Sequence, residues 1–406
     1  MVRAAASCDL CLASLGRVLR LSDCPEVLDA LRAAMAGWPV EVVEAEGAAP
    51  PIRLGREGRG YRQHSPALPE GLFLSTPTEA ACSLIADLVG EYFDRHPDSI
   101  GLHGGSVEVD GRLVIFPASH RAGKSTLTAA FAAAGFRVFG DDVLALTPEG
   151  EGMALGIVPR LRLPLPESFA PGFLDYAERH AGPADRRYRY VVPPRGRLAS
   201  HGEVRPLGAV VLLARDEGAV APALSRLAPG EGLLQLLCEN FAPEVASEAL
   251  MERFLPLMGQ VPCLLLRYSE PLAAARALGE ALSGPLPAAL PAALPAASLV
   301  ARPTLSTGAL PDGPWAPEQS VLDYPLDDEL FLVEVASGAI HRLNPTGRLI
   351  WQLLRHEPLS PEELAELLGG HFGLPWAGVL EDVQALLAGL AAAGLVSPAG
   401  AVSDCP

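Results

Sequence analysis

Hydrophobic and polar positions follow two different periods before residue 284. Residues 26–36 and 77–96 carry apolar side chains three and four positions apart, which places them on one face of a helix. Short apolar runs at 107–109 and 113–116 flank an Asp-Gly pair, which is typical of a two-residue hairpin turn. The pattern therefore predicts amphipathic helices and strands in the same region.

Strands and helices alternate through the rest of this region. Residues 231–257 have the apolar spacing of helices. Further strands are predicted at 40–43, 138–139, 143–146, 209–213 and 263–267. Such alternation is typical of α/β and α+β folds.

Proline and alanine dominate residues 284–317, which carry few charges. Each proline fixes φ and removes a backbone donor, so the segment cannot sustain a helix or a strand. We expect a semi-stiff linker here.

A different pattern follows the linker. Two strands are predicted, at 330–335 and 339–343, around a Ser-Gly turn. Three helices are predicted after them, over about 345–354, from 360 and over 379–392. The second begins at Ser360, whose side chain can cap the helix while the Glu363 side chain reaches back to the Ser360 backbone. These elements make a small compact α+β domain.

The composition excludes several classes of function. The chain has 406 residues, 49% of them hydrophobic, and a formal net charge of -17, whereas nucleic-acid-binding proteins usually have a basic face. No apolar run reaches the roughly 18 to 20 residues of a membrane helix. Asp9 interrupts the apolar N-terminus, which argues against a secretory signal. We expect a cytoplasmic protein of two or three domains that binds neither nucleic acid nor membrane.

Seven cysteines are scattered along the chain, which does not indicate a disulfide framework. Cys8 and Cys11 have the spacing of a metal or redox pair, but no second pair or histidine cluster completes a zinc site. The alternative, two ordinary thiols near a terminus, is favoured.

A phosphate-binding loop is the main chemical motif. The strand at 113–116 leads into a loop and an alanine-rich helix, in near agreement with the pattern G-x-x-x-x-G-K-[ST]. Gly123 lets the backbone approach phosphates, Lys124 can reach the β- and γ-phosphates, and the Ser125 hydroxyl can hold Mg²⁺. The candidate nucleotide-binding residues are Ala118, Ser119, His120, Arg121, Ala122, Gly123, Lys124, Ser125 and Thr126.

The first position of this loop departs from the pattern, because it is Ala118 instead of glycine. If the position requires a positive φ, alanine costs about 1 kcal/mol or more; otherwise the change is harmless. A chance match is the alternative to a true loop. The placement between a strand and a helix favours the loop.

Two adjacent acids, Asp141 and Asp142, follow the strand predicted at 138–139. Paired carboxylates at a strand end can hold Mg²⁺ and provide a general base. An acidic turn between two strands is the alternative.

Residues 101–146 resemble the HPr kinase/phosphorylase family and its HPr-kinase-related members. His103 precedes Lys124 by 21 positions and Asp142 follows it by 18, as in that family. The order of the matching motifs is His103-Gly104, Gly123-Lys124-Ser125, Gly135 and Asp141-Asp142. The resemblance is confined to the nucleotide core, and the phosphorylase motif is absent, so phosphorylation of the sugar-transport carrier is not implied.

The resemblance implies ATP and Mg²⁺ as cofactors and assigns roles to five residues. Lys124 would stabilise the transferring phosphoryl group, and Asp142 would take the proton of the acceptor hydroxyl. Ser125 and Asp141 would bind the metal. His103 would lie near the phosphates, whereas a lone histidine without this spacing is more often structural.

The later metal-binding acid of the family has no clear match. Glu167 lies in a suitable region, but the surrounding motif differs. Arg160 and Arg162 either contact nucleotide or substrate or face solvent. The cluster 186–189 either meets phosphates or forms a solvated loop, and the loop is favoured.

Residues 320–398 resemble the PqqD family of small chaperones that hold precursor peptides. The matching segments are 340–351, 382–387 and 393–396. In that family a leader peptide adds as a strand to a sheet edge and packs against the last helix, for which this chain offers 339–343 and 379–392. The alternative is a winged-helix-like domain that supports an oligomer.

The predicted fold class is an α/β P-loop domain of the HPr-kinase type with two additions, an N-terminal α/β accessory region and a small α+β, winged-helix-like PqqD domain. The predicted limits are 1–97 for the accessory region, 98–283 for the P-loop domain, 284–317 for the linker and 318–400 for the PqqD-like domain.

The function expected from these parts is ATP-dependent phosphorylation of a Ser or Thr hydroxyl in a ribosomally synthesised precursor peptide, captured through its leader by the C-terminal domain. The main alternative is a non-catalytic peptide chaperone or scaffold with a degenerate nucleotide site. A kinase for a small hydroxylated metabolite is less natural beside a peptide module. The resemblance to HPr kinases also implies a homo-oligomer.

Overall fold

The computed structural model describes residues 7–117, 122–241, 245–286, 290–293 and 313–399. The chain forms two compact units. The first comprises Met1–Leu227, Leu234–Pro243 and Val261–Ala293; the second comprises Ala228–Leu233, Glu244–Gln260 and Leu294–Pro406. The predicted domain limits remain a prediction, and most of the predicted linker lies outside the described residues.

The N-terminal part of the first unit is a six-stranded sheet with two helices. Its elements are β1 (Ser7–Leu12), β2 (Gly16–Ser22), α1 (Pro25–Ala34), β3 (Val40–Glu44), β4 (Ile52–Glu57), β5 (Gly60–Ser65), β6 (Leu68–Leu74) and α2 (Pro77–Arg95). The strand order is β3-β1-β2-β4-β5-β6. Leu10, Leu19, Leu31 and Leu84 are fully buried in one core, so the sheet and its helices are packed by their apolar faces. The predicted helices and the strand at 40–43 are confirmed.

The rest of the first unit is built on a nine-stranded sheet. Its elements are β7 (Ile100–Leu102), β8 (Gly104–Val109), β9 (Arg112–Pro117), α3 (Lys124–Ala133), β10 (Arg137–Gly140), β11 (Leu144–Leu146), β12 (Glu151–Met153), β13 (Arg160–Arg162), α4 (Pro171–Arg179), β14 (Ala181–Ala184), β15 (Tyr188–Val191), β16 (Val204–Arg215), β17 (Ala223–Arg226), α5 (Pro229–Glu239), α6 (Ser247–Met258), β18 (Cys263–Tyr268) and α7 (Pro271–Leu282). Of these, α6 and the first residues of α5 cluster with the second unit.

The nine strands run in the order β10-β8-β9-β16-β12-β11-β7, with β18 beside β16 and β17 beside β18. Strands β13, β15 and β14 form a separate small sheet. Strand β16 pairs in parallel with both β9 and β18. The predicted hairpin is confirmed: β8 and β9 are antiparallel, and the Asp110-Gly111 turn has φ of 49° and 74°, as a tight turn with two left-handed residues requires.

A buried core fixes the nucleotide-binding helix on this sheet. Phe116 of β9 and Phe131 of α3 are fully buried, with ring centroids 5.6 Å apart. Gly105 of β8 lies where an added Cβ would be 2.3 Å from Oγ1 of Thr128, so only glycine permits this approach of α3 to the sheet. The ends of β9 and β10 and the start of α3 are thereby held in one place.

The second unit has a three-stranded sheet and three C-terminal helices. Its further elements are β19 (Trp315–Pro317), β20 (Val321–Leu326), β21 (Glu329–Glu334), β22 (Ala339–Leu343), α8 (Pro345–His356), α9 (Pro361–Phe372), α10 (Trp376–Ala392) and β23 (Val396–Pro398). The strand order is β20-β21-β22, and β19 pairs with β23. The expectation that 284–317 contains no strand is therefore wrong at its end, where Trp315–Pro317 form a strand held by this pairing. The predicted capping box is confirmed, because Ser360 accepts from the backbone N–H of Glu363 while the Glu363 side chain accepts from that of Ser360.

Helix α6 packs against β20 within this unit. Ser247 donates from its hydroxyl to the carbonyl oxygen of Gly338 at 2.6 Å. Successive side chains of β21 point to opposite faces of the sheet. Phe331 and Val333 on one face are buried, and so are Leu330 and Leu332 on the other. Both faces of this sheet are therefore covered. No helix among the described residues is long and apolar enough to cross a membrane.

Candidate functional site

The nucleotide-loop candidates meet the start of α3. Gly123 adopts φ of 94°, a left-handed conformation suited to glycine, and Lys124 is the first helical residue. Ala122, Ser125 and Thr126 are partly exposed beside it, whereas Lys124 is only 6% exposed. The helix start directs free backbone N–H groups and a positive dipole end to this point. The candidates Ala118, Ser119, His120 and Arg121 lie outside the described residues.

Asp141 is buried immediately after β10, with 1% exposure. Its Oδ2 accepts from the backbone N–H of Arg160 at 3.0 Å, and its carboxyl group interacts with the Ser125 side chain. Its Oδ1 is buried and has no hydrogen-bond partner among the described residues. Burial raises the pKa of Asp141 to about 7, and the charge of Asp142 adds to that rise. A buried acceptor without a partner is costly unless a ligand satisfies it.

Asp142 points its carboxylate toward an imidazole and a guanidinium group. Its φ of 63° lies in the left-handed region, which aspartate tolerates better than most residues. Oδ1 lies 3.8 Å from Nε2 of His103, and Oδ2 lies 3.5 Å from Nη2 of Arg160. Burial acts to raise the pKa of Asp142, but the interaction with His103 and the charge of Arg160 outweigh it, so the pKa lies below its ordinary value. The side chain is 38% exposed and therefore accessible. Its lowered pKa keeps it ionised at neutral pH.

His103 connects Asp142 to an acid that the sequence did not indicate. Nδ1 of His103 lies 2.9 Å from Oε2 of Glu239, and its backbone N–H donates to the carbonyl oxygen of Glu239 at 2.7 Å. The Asp142 carboxylate raises the pKa of His103 above its ordinary value, against the opposing effect of burial. Glu239 is 136 positions from His103 and lies in no recognisable motif, so no local signal could have identified it.

Arg160 belongs to the site, whereas its neighbour Arg162 is exposed. The Arg160 guanidinium contacts Asp142, donates to the Cys82 sulfur and lies over the Tyr188 ring at 4.8 Å from its centroid. Each of the two alternatives stated for these arginines therefore applies to one of them: Arg160 faces the acidic pair, and Arg162 faces solvent.

The other sequence candidates are mostly outside the described contacts of this site. Glu167 is exposed. In the cluster 186–189, Tyr188 touches the site through Arg160, whereas Arg189 forms an ion pair with Glu178 and Arg186 is exposed. The structure therefore shows no part for Glu167, Arg186 or Arg189 in the arrangement around Lys124.

Lys124 is a buried ammonium group in a chain whose other cationic side chains are arginines and histidines. Burial lowers the pKa of its ammonium below the ordinary value, and the nearby carboxylates oppose that shift only in part. Lys124 is also the only lysine in the 406-residue sequence, which has 30 arginines. A lysine is a compact point charge, and an arginine is a planar fork. The single position that uses the compact cation is thus the one at the start of α3.

Metal-binding groups are limited in the part of the chain that the structure describes. No group of three or more His, Cys, Asp or Glu side chains there could hold a metal ion. Cys8 and Cys11 are free, partly exposed thiols. Ser125 and Asp141 nevertheless provide the hydroxyl and carboxylate oxygens that Mg²⁺ takes when phosphates and water supply its other ligands.

The second unit offers a sheet edge to a peptide. Strand β22 pairs with β21 on one side, and among the described residues no strand pairs with its other side. Apolar side chains are exposed where α9 ends and α10 begins: Phe372, Leu374 and Trp376 are 49%, 55% and 50% exposed. An unpaired edge and an exposed apolar surface are the two elements of strand addition.

Comparison with known families identifies the C-terminal part of the second unit. The family described as "Coenzyme PQQ synthesis protein D (PqqD)" matches residues 329–396. This segment is PqqD-like. The match spans β21, β22 and the three C-terminal helices, so the resemblance predicted for the C-terminal part of the chain is confirmed. A comparison with curated proteins found no match.

Two solved structures are similar to parts of the chain. "TbiB1 in Complex with the TbiA(beta) Leader Peptide" is 26% identical over 20% of this chain and 94% of that chain, with a TM-score of 0.20. The Hpr(Ser) kinase/phosphatase from Coxiella burnetii is 14% identical over 41% of this chain and 83% of that chain, with a TM-score of 0.21. Neither TM-score supports an inference about the chemistry of this chain.

Proposed function

We propose that the protein is an ATP-dependent kinase that phosphorylates a Ser or Thr hydroxyl of a ribosomally synthesised precursor peptide held by the PqqD-like domain. The observation that carries this proposal is the meeting of Lys124, Asp141 and Asp142 at the start of α3. These side chains come from the first residue of α3 and from the loop after β10, and they combine a buried cation with a buried acid and an accessible acid.

ATP would supply the phosphoryl group, and Mg²⁺ would neutralise charge on its phosphates. Ser125 and Asp141 fit the ion because they offer oxygen ligands, one of which is a buried acceptor without a partner among the described residues. Lys124 is placed to bind phosphate oxygens at the positive end of α3.

Asp142 is the proposed general base. Its lowered pKa keeps it ionised at neutral pH, and its exposed fraction allows an acceptor hydroxyl to approach. A base must be within hydrogen-bond reach of the proton that it accepts. His103 and Arg160 hold the carboxylate from two sides and leave part of it accessible.

The PqqD-like domain would bind the leader segment. Strand addition at β22 would satisfy the free edge and provide sequence-independent affinity, and the exposed apolar side chains near α10 would select the leader. Binding the leader on the same chain raises the local concentration of the core peptide at the kinase site. A cytoplasmic location, a homo-oligomer and the winged-helix-like geometry of this domain remain part of the proposal.

The alternative is a peptide chaperone or scaffold with a degenerate nucleotide site. Two observations favour it: the family match is confined to residues 329–396, and Ala118 replaces the first glycine of the loop pattern. Such a protein would bind the leader without nucleotide turnover.

Mass spectrometry of a peptide reaction distinguishes the two functions. The purified protein would be incubated with ATP, Mg²⁺ and the precursor peptide encoded nearest its gene. We expect a phosphate-sized mass gain on the peptide that is lost in Lys124→Ala and Asp142→Asn. Leader binding without a mass gain or nucleotide affinity would refute the kinase and leave the chaperone.

A labelling experiment tests nucleotide binding without a peptide. An acyl-phosphate derivative of ATP transfers its acyl group to a lysine beside the bound phosphates. Because Lys124 is the only lysine, any ATP-competed acylation of a lysine side chain must occur there. Acylation that excess ATP does not suppress would contradict a nucleotide site at Lys124.

A further inference from the structure

Glu239 occupies a position in the candidate site that none of the assigned roles explains. Its side chain is 11% exposed, and Oε2 lies 2.9 Å from Nδ1 of His103. Its other oxygen accepts from Nε2 of Gln235 at 3.1 Å, one helical turn earlier in α5. The carboxylate is therefore held in place on both of its oxygens.

The fold holds the backbone at this position as well. The His103 backbone N–H donates to the carbonyl oxygen of Glu239, and Asn240 forms a β-bridge with Leu102. Phe241 donates from its N–H to the Gly101 carbonyl oxygen at 3.0 Å. The Phe241 ring covers Gly101 so closely that an added Cβ would lie 2.2 Å from Cε2. Residues 239–241 therefore run beside β7, and this contact fixes Glu239 relative to His103.

We propose that Glu239 is a positioning residue that acts on Asp142 through His103. By accepting from Nδ1–H, Glu239 fixes the orientation of the imidazole and favours its doubly protonated form, so that Nε2–H is directed at the Asp142 carboxylate. This inference rests on the proposed kinase function, because it assigns Glu239 to the same site. It adds a residue from α5 to a constellation otherwise drawn from the loops near Lys124.

The chemistry of imidazole explains why such a partner matters. A histidine between two carboxylates donates to both only when both ring nitrogens carry a proton, and the hydrogen bond at one nitrogen fixes the direction of the other. An acidic partner on Nδ1 is also how many functional histidines are oriented. Without Glu239, the ring can rotate about its side-chain bonds, and the contact with Asp142 is lost for part of the time.

The charges around His103 come from three elements. Asp142 and Glu239 favour its protonated form, and Lys124 opposes it. Removing the Glu239 charge therefore shifts the His103 titration to lower pH, while Asp142 still faces Nε2. Glu239 also favours the charged form of Lys124, so removing its charge makes that form less favourable.

Two variants separate the parts of this role. Glu239→Gln keeps an oxygen acceptor for Nδ1–H but removes the charge, and Glu239→Ala removes both. Cys238→Ala is a matched control, since it changes the adjacent, exposed residue of the same helix. Thermal unfolding of all three establishes that each variant is folded.

The first readout requires no activity. Long-range ¹H–¹⁵N spectra of full-length protein labelled on its nine histidines report the tautomer and the titration of each ring. The His103 signal is identified by its absence from His103→Gln. In the neutral ring, above its titration, we expect the proton on Nδ1 in the wild type and in Glu239→Gln, and on Nε2, facing Asp142, in Glu239→Ala. The titration itself should lie at lower pH in both variants. His201, whose pKa burial lowers to about 4, is an internal reference.

The second readout is phosphorylation of the precursor peptide. Loss of a charged hydrogen bond that orients the site should lower the catalytic rate of Glu239→Ala by about 10- to 100-fold. We expect the KM for ATP to change little. Glu239→Gln should keep most of the wild-type rate, with the acidic limb of its pH–rate profile shifted.

Each outcome bears on one proposal. An unchanged His103 tautomer and titration in Glu239→Ala would overturn the role of Glu239, whether or not the protein is a kinase. A wild-type protein that never phosphorylates the peptide, but shows the expected histidine spectra, would overturn the kinase and leave the positioning intact.

Discussion

Replacing Asp142 with Asn tests the proposed base with the smallest change of shape. Asn tolerates the left-handed φ of 63° at this position, and its amide fills the same space between His103 and Arg160. Asp142→Ala places a residue without that tolerance in the same conformation, at a cost of roughly 1–2 kcal/mol. We therefore expect urea unfolding to show a larger loss of stability for Ala than for Asn.

The kinetic effect follows from the chemistry of the carboxylate. A positioned general base contributes about 10²- to 10⁴-fold to a rate, or roughly 3 to 5 kcal/mol of the barrier. An amide cannot accept the proton, so Asp142→Asn should lose this factor in the time course of phosphate gain at saturating ATP. Lys124 does not depend on the carboxylate for its phosphate contacts, so ATP-competed acylation should remain.

A matched variant controls for the substitution itself. Asp110 is also an aspartate at positive φ, 49° in the hairpin turn between β8 and β9, and it is exposed. Asp110→Asn should phosphorylate the peptide at the wild-type rate. If Asp142→Asn also has the wild-type rate, Asp142 is not the base, and the resemblance of residues 101–146 has assigned the wrong role.

Three further predictions concern other parts of the chain. Lys124→Arg should weaken ATP binding, measured by calorimetry, by at least about tenfold, because a planar guanidinium replaces a buried compact cation; unchanged affinity would contradict a specific need for lysine. Asp141 has a pKa raised by burial to about 7 from a reference of 3.8, so its ionisation destabilises the folded state progressively as the pH rises between these values. Asp141→Asn should therefore be more stable than the wild type at pH 8 by at most about 4 kcal/mol in metal-free urea unfolding, with no gain near pH 3, and an equal gain at both pH values would exclude titration as the cause. Trp351 is fully buried and donates to Asp323 at 3.1 Å, so Trp351→Ala should destabilise the second unit by about 3–5 kcal/mol and abolish leader binding while acylation of Lys124 persists; retained leader affinity would contradict this.

Signals carried by a few adjacent residues predicted their structure well. The Asp-Gly turn between β8 and β9, the capping box at Ser360 and the start of α3 at Lys124 each depend on backbone conformations that the local residues prefer. Asp141 and Asp142 were named as candidate site acids on a local signal of the same kind, because they directly follow a short strand.

Features that depend on distant parts of the chain were missed. Strands β2 and β4 carry Arg20 and Arg53 on the face away from the helices, and this interrupts the apolar runs by which strands were recognised. Strand β20 contains Pro325, which argues against a strand interior but is tolerated at a sheet edge. Glu239 reaches its site only because residues 239–241 lie beside β7, a pairing that leaves no pattern in either segment.

The division of the chain into units also has a consequence for synthesis on the ribosome. Helix α6 emerges before β18 completes the first unit, yet it packs against β20, which is made more than sixty residues later. Its apolar residues Met251 and Phe254 are fully buried in the finished protein, and whatever part of that burial β20 provides is missing throughout that interval. A nascent chain that stalls in the proline-rich segment would therefore expose them, and we expect such truncated products to aggregate or to recruit chaperones.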